Sequence, residues 1–255
     1  MLGSMLTKYA LLEGKVEVVP FSRKKLAGKL EKVKVKEFNP SNFEVDESFD
    51  CIVNCCGVVK QRVSSANEMF AINADFPKRL AEIHGKKFLH ISTDCVFSGR
   101  NGNYVENDEK DCSDDYGLSK SEGENHEGRV LRTSIIGVHE TDRAGLLEWY
   151  RNSQGVVNGY VDHYWSGVTT LRLSQIIMSK ITASDPRLLH VYSNKVSKFD
   201  LLQDIKKVFG VKTEIHPQEA GRVDRSLSSM FESNFTNGDI LQQLVELAEF
   251  ERVKI

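Results

Sequence analysis

The chain has 255 residues, 40% of them hydrophobic and 27% charged, with a formal net charge of -2 and a pI of about 6.4. That balance suits one large α/β unit or two small domains and lacks the basic excess of a nucleic-acid binder. No apolar run approaches the ~20 residues of a membrane helix, and the N-terminus has no signal-type apolar core. The five cysteines, Cys51, Cys55, Cys56, Cys95 and Cys112, are odd in number and lie mostly in apolar runs, so a reduced, cytoplasmic chain is expected.

In chain order, short β-branched runs at 16–21, 33–38, 51–54, 88–91, 129–132 and 188–192 alternate with helical patterns. Those patterns cover 24–30, 66–84, 116–126, 170–181 and 198–209. Such alternation predicts an α/β fold with a parallel sheet covered on both faces. Residues 99–115 are polar and glycine-containing and read as a loop. After Arg132 the rhythm loosens, and a last helical pattern at 239–250 closes a tail expected to add a small lobe to the sheet.

Ligands of open parallel sheets bind outside the carboxyl ends of the strands. Following the expected strands are Ser22, Arg23 and Lys24; Cys55, Cys56 and Gly57; Ser92, Thr93 and Asp94; and Thr133 with Ser134. These are small, hydroxylic and basic side chains, of the kind that hold a cofactor but also of the kind that any strand-to-helix turn uses. Tyr116 and Lys120, spaced i, i+4 at the head of a helix, share one face. An ammonium beside a phenol favours the phenolate, although a surface pair would have the same spacing.

Three other signals point away from a metal. Cys51, Cys55 and Cys56 lack zinc-ligand spacing, and the seven histidines are scattered. The acidic stretch from Glu106 to Glu109, with Asp111, Asp114 and Asp115, lacks calcium-loop spacing and reads as a solvated face. No metal site is expected.

The order Asn54-Cys55-Cys56-Gly57, Ile91-Ser92-Thr93-Asp94-Cys95-Val96-Phe97, Tyr116 to Lys120 and Leu131-Arg132-Thr133-Ser134 resembles the extended short-chain dehydrogenase/reductase family. The likeness is strongest to its dTDP-4-dehydrorhamnose reductase branch. Ile72-Asn73-Ala74-Asp75-Phe76-Pro77 is similar to that family's helix under the cofactor. Tyr164-Trp165-Ser166-Gly167 and Asp224-Arg225-Ser226-Leu227 are similar to its sugar-nucleotide lobe.

The resemblance implies a Rossmann-like, doubly wound parallel sheet with a small C-terminal substrate lobe. Residues 1–136 and 168–192 would form the dinucleotide-binding core, and 137–167 with 193–255 the lobe. It implies reduction of a 4-keto-6-deoxysugar nucleotide in surface polysaccharide precursor synthesis. Tyr116 would be the general acid, Lys120 would hold the nicotinamide ribose and lower the Tyr116 pKa, and Thr93 would bond the same carbonyl. Leu2, Gly3, Ser22, Arg23, Cys55, Cys56, Gly57 and Ser92 would join Tyr116 and Lys120 around the cofactor. Val58, Thr93, Asp94, Cys95, Trp165 and Arg225 would meet the substrate.

Related 4,6-dehydratases carry Thr-Asp-Glu where this chain has Thr93-Asp94-Cys95, so reduction is expected rather than dehydration. Arg23 at the end of the second strand suits a 2′-phosphate, which favours NADPH and leaves NADH as the lesser option. The expected partners are a nucleotide sugar and, as the family allows, a second copy in a homodimer, with no nucleic acid or membrane. The same branch also holds regulatory partners of methionine adenosyltransferase, which bind a dinucleotide without reducing a sugar; that is the alternative.

The opening Met1-Leu2-Gly3-Ser4-Met5-Leu6 is similar to the end of the family's glycine-rich loop as it enters its helix. The first strand and the earlier glycines would then be missing, and the chain is expected to be N-terminally truncated.

Overall fold

The structure, a computed structural model, describes residues 1–22, 35–40, 43, 49–59, 62–138, 145–180, 186–231 and 238–253. Helix α1 (Leu2–Glu13) ends on Gly14, whose left-handed φ of 62° lets its N–H reach back to the Ala10 carbonyl. Strands β1 (Phe21–Ser22) and β2 (Lys36–Glu37) form a short parallel pair. Of the extended run expected over 16–21, only its end is a strand. Pro20 has no N–H to donate, and its carbonyl accepts from Lys36 at 3.0 Å. The helix expected at 24–30 lies outside the described residues.

The main sheet is parallel and four-stranded, in the order β10 (Leu188–His190), β5 (Arg129–Thr133), β4 (Phe88–Thr93), β3 (Ile52–Asn54). The β1–β2 pair forms a separate sheet, with no ladder to β3 among the described residues. Parity along β4 decides what lies on each face. Leu89 and Ile91 join Leu131, Leu189 and Leu2 of α1 in a core completed by Leu173, Ile176 and Ile177 of α6 (Thr170–Lys180). Phe88 turns the other way, against Phe76, Leu80 and Ala81 of α3 (Phe76–His84). The sheet is thus wound on both faces, as alternation predicts.

The helical pattern over 66–84 is three pieces: α2 (Ala66–Phe70), a π turn (Ala71–Asp75) and α3. Ser65 caps α2 by accepting from the Glu68 N–H. Helix α4 (Asp115–Glu122) is capped by Asp114, which accepts from Gly117 at 3.0 Å, and it stops at Gly123.

The remaining elements are β6 (Ile135–Ile136), α5 (Leu146–Asn152), β7 (Val156–Tyr160), β8 (His163–Trp165), β9 (Val168–Thr169), β11 (Val196–Ser197), α7 (Lys198–Phe209), β12 (Glu214–Gln218), β13 (Val223–Asp224) and α8 (Ile240–Phe250). Most of them surround a second core built on Leu147, Tyr150, Trp165, Leu201, Ile205, Ile240 and Leu244. Small sheets β11–β8–β13 and β12–β7 frame it, and β6 pairs with β9 where the chain passes between the main sheet and this lobe.

Candidate active site

Glycines let α4 lie close to its neighbours. A Cβ at Gly117 would strike the Cys95 carbonyl and Cys112, and one at Gly123 would strike the Asn73 carbonyl. The π turn presents Asn73, fully buried, so that its amide accepts from the Val58 N–H (2.9 Å) and donates to the Val58 carbonyl (2.9 Å) and to Ser119 Oγ (3.1 Å). Ser119 Oγ in turn donates to the Tyr116 carbonyl at 2.9 Å. One side chain therefore ties the segment after β3 to the helix that carries Tyr116. The resemblance of residues 72–77 to the family's helix under the cofactor marked this segment but not the tie that Asn73 makes, and π turns recur at functional sites.

Tyr116 packs against Val58, Met69 and Ile72, and its phenol lies near the Thr93 hydroxyl at the carboxyl end of β4. Burial above all, then the nearby Cys95, pushes the phenol above its ordinary range, against the pull of the Thr93 hydroxyl. The phenol therefore keeps its proton at neutral pH. Asp94 is also buried. Desolvation raises its carboxyl, opposed by Lys198, the Thr93 hydroxyl at 3.1 Å and Arg225. Cys95 is pushed up to about 12 by burial and by Asp94, so it stays a thiol.

Trp165, buried in the lobe core, carries the Lys198 ammonium 5.1 Å from its ring centroid. Arg225 donates from Nε to the Phe97 carbonyl at 2.9 Å. Thr93, Asp94, Cys95, Tyr116 and Arg225 thus gather around one another, with Val58 against the phenol and Trp165 beneath Lys198. Lys198 was not singled out in the sequence. It is the first residue of α7, after the capping Ser197, and only the lobe's folding brings its charge close enough to act on Asp94.

Other expected residues sit differently. The Lys120 amino group faces the sheet, with Nζ 2.8 Å from the Ile91 carbonyl and 3.1 Å from His90 Nε2. It does not lower the Tyr116 pKa, which burial raises instead. Ser92 donates its hydroxyl to Glu124 at 2.5 Å rather than facing a cofactor, because strand parity aims it at the face where Arg132, its partner in register, meets the same carboxylate. The Leu2 side chain is buried in the sheet core, which leaves only its backbone for a ligand. Gly3 lies in the first turn of α1, next to Cys55.

Cys55 packs on the sheet core and Cys56 against the α3 side, and the Cys56 N–H donates to Asn54 Oδ1 at 3.0 Å. Gly57 lies beside the Asn73 amide. Ser22 ends β1, and Arg23 lies outside the described residues. Glu106, expected on a solvated face, is buried: its carboxylate accepts from His190 N (2.9 Å), Met230 N (2.9 Å) and Ser229 Oγ (2.8 Å). Among the described residues no group of acidic, histidine or cysteine side chains could hold a metal ion, and no helix is long and apolar enough to cross a membrane.

Comparison with solved structures gives the same architecture repeatedly. A hypothetical dTDP-4-dehydrorhamnose reductase from Sulfolobus tokodaii is 23% identical over 94% of each chain, with a TM-score of 0.73. The dTDP-4-dehydrorhamnose reductase of Bacillus anthracis, in complex with NADP, is 18% identical over 89% of this chain and 93% of its own, at 0.68. The UDP-glucose 4-epimerase of Thermotoga maritima, with UDP-glucose, is 14% identical over 99% and 96%, at 0.74. At these identities the likeness establishes the Rossmann-like fold. No curated protein matches the chain. The family model described as the RmlD substrate binding domain matches residues 1–251. Running through sheet and lobe alike, that match makes the chain a member of the RmlD substrate binding domain family.

Proposed function

We propose that the chain reduces the keto group of a 4-keto-6-deoxysugar nucleotide with NADPH, in the making of a surface polysaccharide precursor. One observation carries the reading: the Tyr116 phenol and the Thr93 hydroxyl meet at the carboxyl end of a parallel strand, where two donors can converge on one carbonyl oxygen. The solved relatives that hold NADP or NAD support the choice of cofactor class.

The residues suit a nicotinamide dinucleotide at its reacting end, where a half-buried, protonated phenol and the i, i+4 lysine stand beside the small residues that follow β3. A bound NADPH would supply the hydride. Tyr116 gives its proton to the carbonyl oxygen, and Thr93 orients that oxygen. Lys120, once turned outward along the shared face of α4, stabilises the phenolate left behind and holds the ribose. Leu2 and Gly3 through their backbone, with Ser22, Arg23, Cys55, Cys56 and Gly57, line the rest of the dinucleotide. Val58, Asp94, Cys95, Trp165 and Arg225 contact the sugar nucleotide, joined by Lys198. In this reading 1–136 with 168–192 is the dinucleotide half, and 137–167 with 193–255 is the substrate half.

Purified protein mixed with NADPH and dTDP-4-keto-6-deoxyglucose should consume reduced nicotinamide, with one alcohol product per NADPH. Tight NADPH binding without turnover across a panel of keto-sugar nucleotides would move the chain to the non-catalytic, regulatory class. Arg23→Ala should weaken NADPH binding by about 1.5–3 kcal/mol and leave NADH nearly unchanged, the range for a hydrogen bond to a charged group. Equal loss for both cofactors would remove Arg23 from the 2′-phosphate.

A further inference from the structure

Lys120, His90 and Asn54 form a buried chain whose hydrogen-bond polarity can be worked out. Asn54 and His90 are partners in register on β3 and β4. The Cys56 N–H donates to Asn54 Oδ1 at 3.0 Å, which fixes the amide so that its Nδ2 faces His90 Nδ1 at 3.1 Å. An amide nitrogen only donates, so Nδ1 of His90 must accept.

His90 is fully buried, and burial above all, together with the accepting Nδ1, holds its imidazole neutral. A neutral ring with an accepting Nδ1 carries its proton on Nε2. That N–H points at Lys120 Nζ, 3.1 Å away, while Nζ itself donates to the Ile91 carbonyl at 2.8 Å. An ammonium has three donors and no acceptor, so it would set N–H against N–H at this distance. An amine, with its lone pair toward Nε2–H, satisfies every group in the chain. The other charged or titratable groups facing Lys120 are Glu124, beyond the end of α4, and the thiols of Cys56 and Cys55 after β3; His126 faces His90.

We propose that His90 is a positioning residue that holds Lys120 inward as an uncharged amine, and that protonation of the amine releases it toward the Tyr116 face of α4. The protonation state stands on the hydrogen bonds alone, whereas the service it gives to Tyr116 and the ribose rests on the reductase reading. Burial acts in the same direction, bringing Lys120 down to about 8.

Lysine side-chain NMR of the full chain, with the signal assigned by its absence in Lys120→Met, reads the state without any substrate. One lysine should titrate near 8 instead of at the ordinary 10.5. Imidazole nitrogen shifts should place the His90 proton on Nε2. In His90→Gln the side-chain amide can rotate to offer its oxygen to an ammonium, so the Lys120 titration should move up toward 10.5. A Lys120 that stays charged at pH 9.5, or a His90 proton on Nδ1, overturns the proposal, and so does a titration unmoved in His90→Gln. Should that variant not fold, the tautomer and the wild-type titration decide the matter. Loss of sugar reduction with these signals intact would sink the reductase reading and leave the proposal standing.

Discussion

Glu124 and Lys120 leave the same end of α4 one turn apart, and both are buried, yet the protein treats their charges in opposite ways. Glu124 faces the Arg132 guanidinium with both oxygens, at 2.9 Å from Nε and 2.7 Å from Nη2, and takes the Ser92 hydroxyl as well. Arg132 continues to the Glu106 carbonyl at 3.2 Å and to His190 Nε2 at 3.3 Å, while His190 Nδ1 lies 2.8 Å from the Ser228 carbonyl. Burial alone would raise the Glu124 carboxyl, but the Arg132 hydrogen bonds and charge hold it below its ordinary value. Around Tyr116, Asp94 and Lys120, by contrast, burial wins and each group is pushed toward its neutral form. The brace keeps fixed, matched charges that join β4, β5 and β10 to the loop carrying Glu106. The site keeps groups that can exchange a proton, as sites of chemistry do.

Variants on the two sides should separate accordingly. The largest effect is expected from Tyr116→Phe, which should cut turnover by about two to four orders of magnitude, as the loss of a general acid does. Its urea midpoint and NADPH affinity should stay near wild type. Near-normal reduction of a true substrate by this variant would remove Tyr116 from the chemistry.

On the brace side, Glu124→Leu leaves the buried Arg132 without its carboxylate partner and should destabilise the fold by about 3–5 kcal/mol in urea titrations. The pH dependence has a definite sign. The folded carboxyl lies below its unfolded value, so its stabilisation is complete above about pH 4.5 and is lost as pH falls through the folded value. The acid limb of the stability curve should therefore flatten in the variant; an unchanged limb would mean that the pair contributes no linkage.

Gly123→Ala joins the two systems, because the new methyl meets the Asn73 carbonyl in the π turn. Overpacking there should cost about 1–3 kcal/mol and lower activity through the displaced α4. Activity unaffected by a clear loss of stability would show that the Asn73 tie does not position Tyr116.

The smallest effect is expected at Lys198. Lys198→Met should raise KM for the sugar nucleotide about two- to tenfold with kcat little changed, the scale of one hydrogen bond. A fall in kcat at constant KM would instead make its role one of steering Asp94.

Local pattern by itself determined a good deal. The alternation of β-branched runs with helical stretches settles the parallel sheet, since each strand's parity and each helix's stripe are properties of consecutive residues. The i, i+4 spacing of Tyr116 and Lys120 and the hydroxyl of Thr93 at a strand end were legible for the same reason. Strands 21–22 and 36–37 proved shorter than the runs that announced them, because ladder partners, which lie elsewhere in the chain, decide where pairing stops. The split of 66–84 around a π turn was equally invisible, since it exists to seat Asn73 against Val58 and Ser119, 15 and 46 residues away. Which way Lys120 points, that Ser92 serves Glu124, that Glu106 is buried and that the Lys198 charge acts on Asp94 all depend on groups distant in sequence. Tertiary structure alone decided them, because the free energy of a buried polar group is set by the partners that surround it in space.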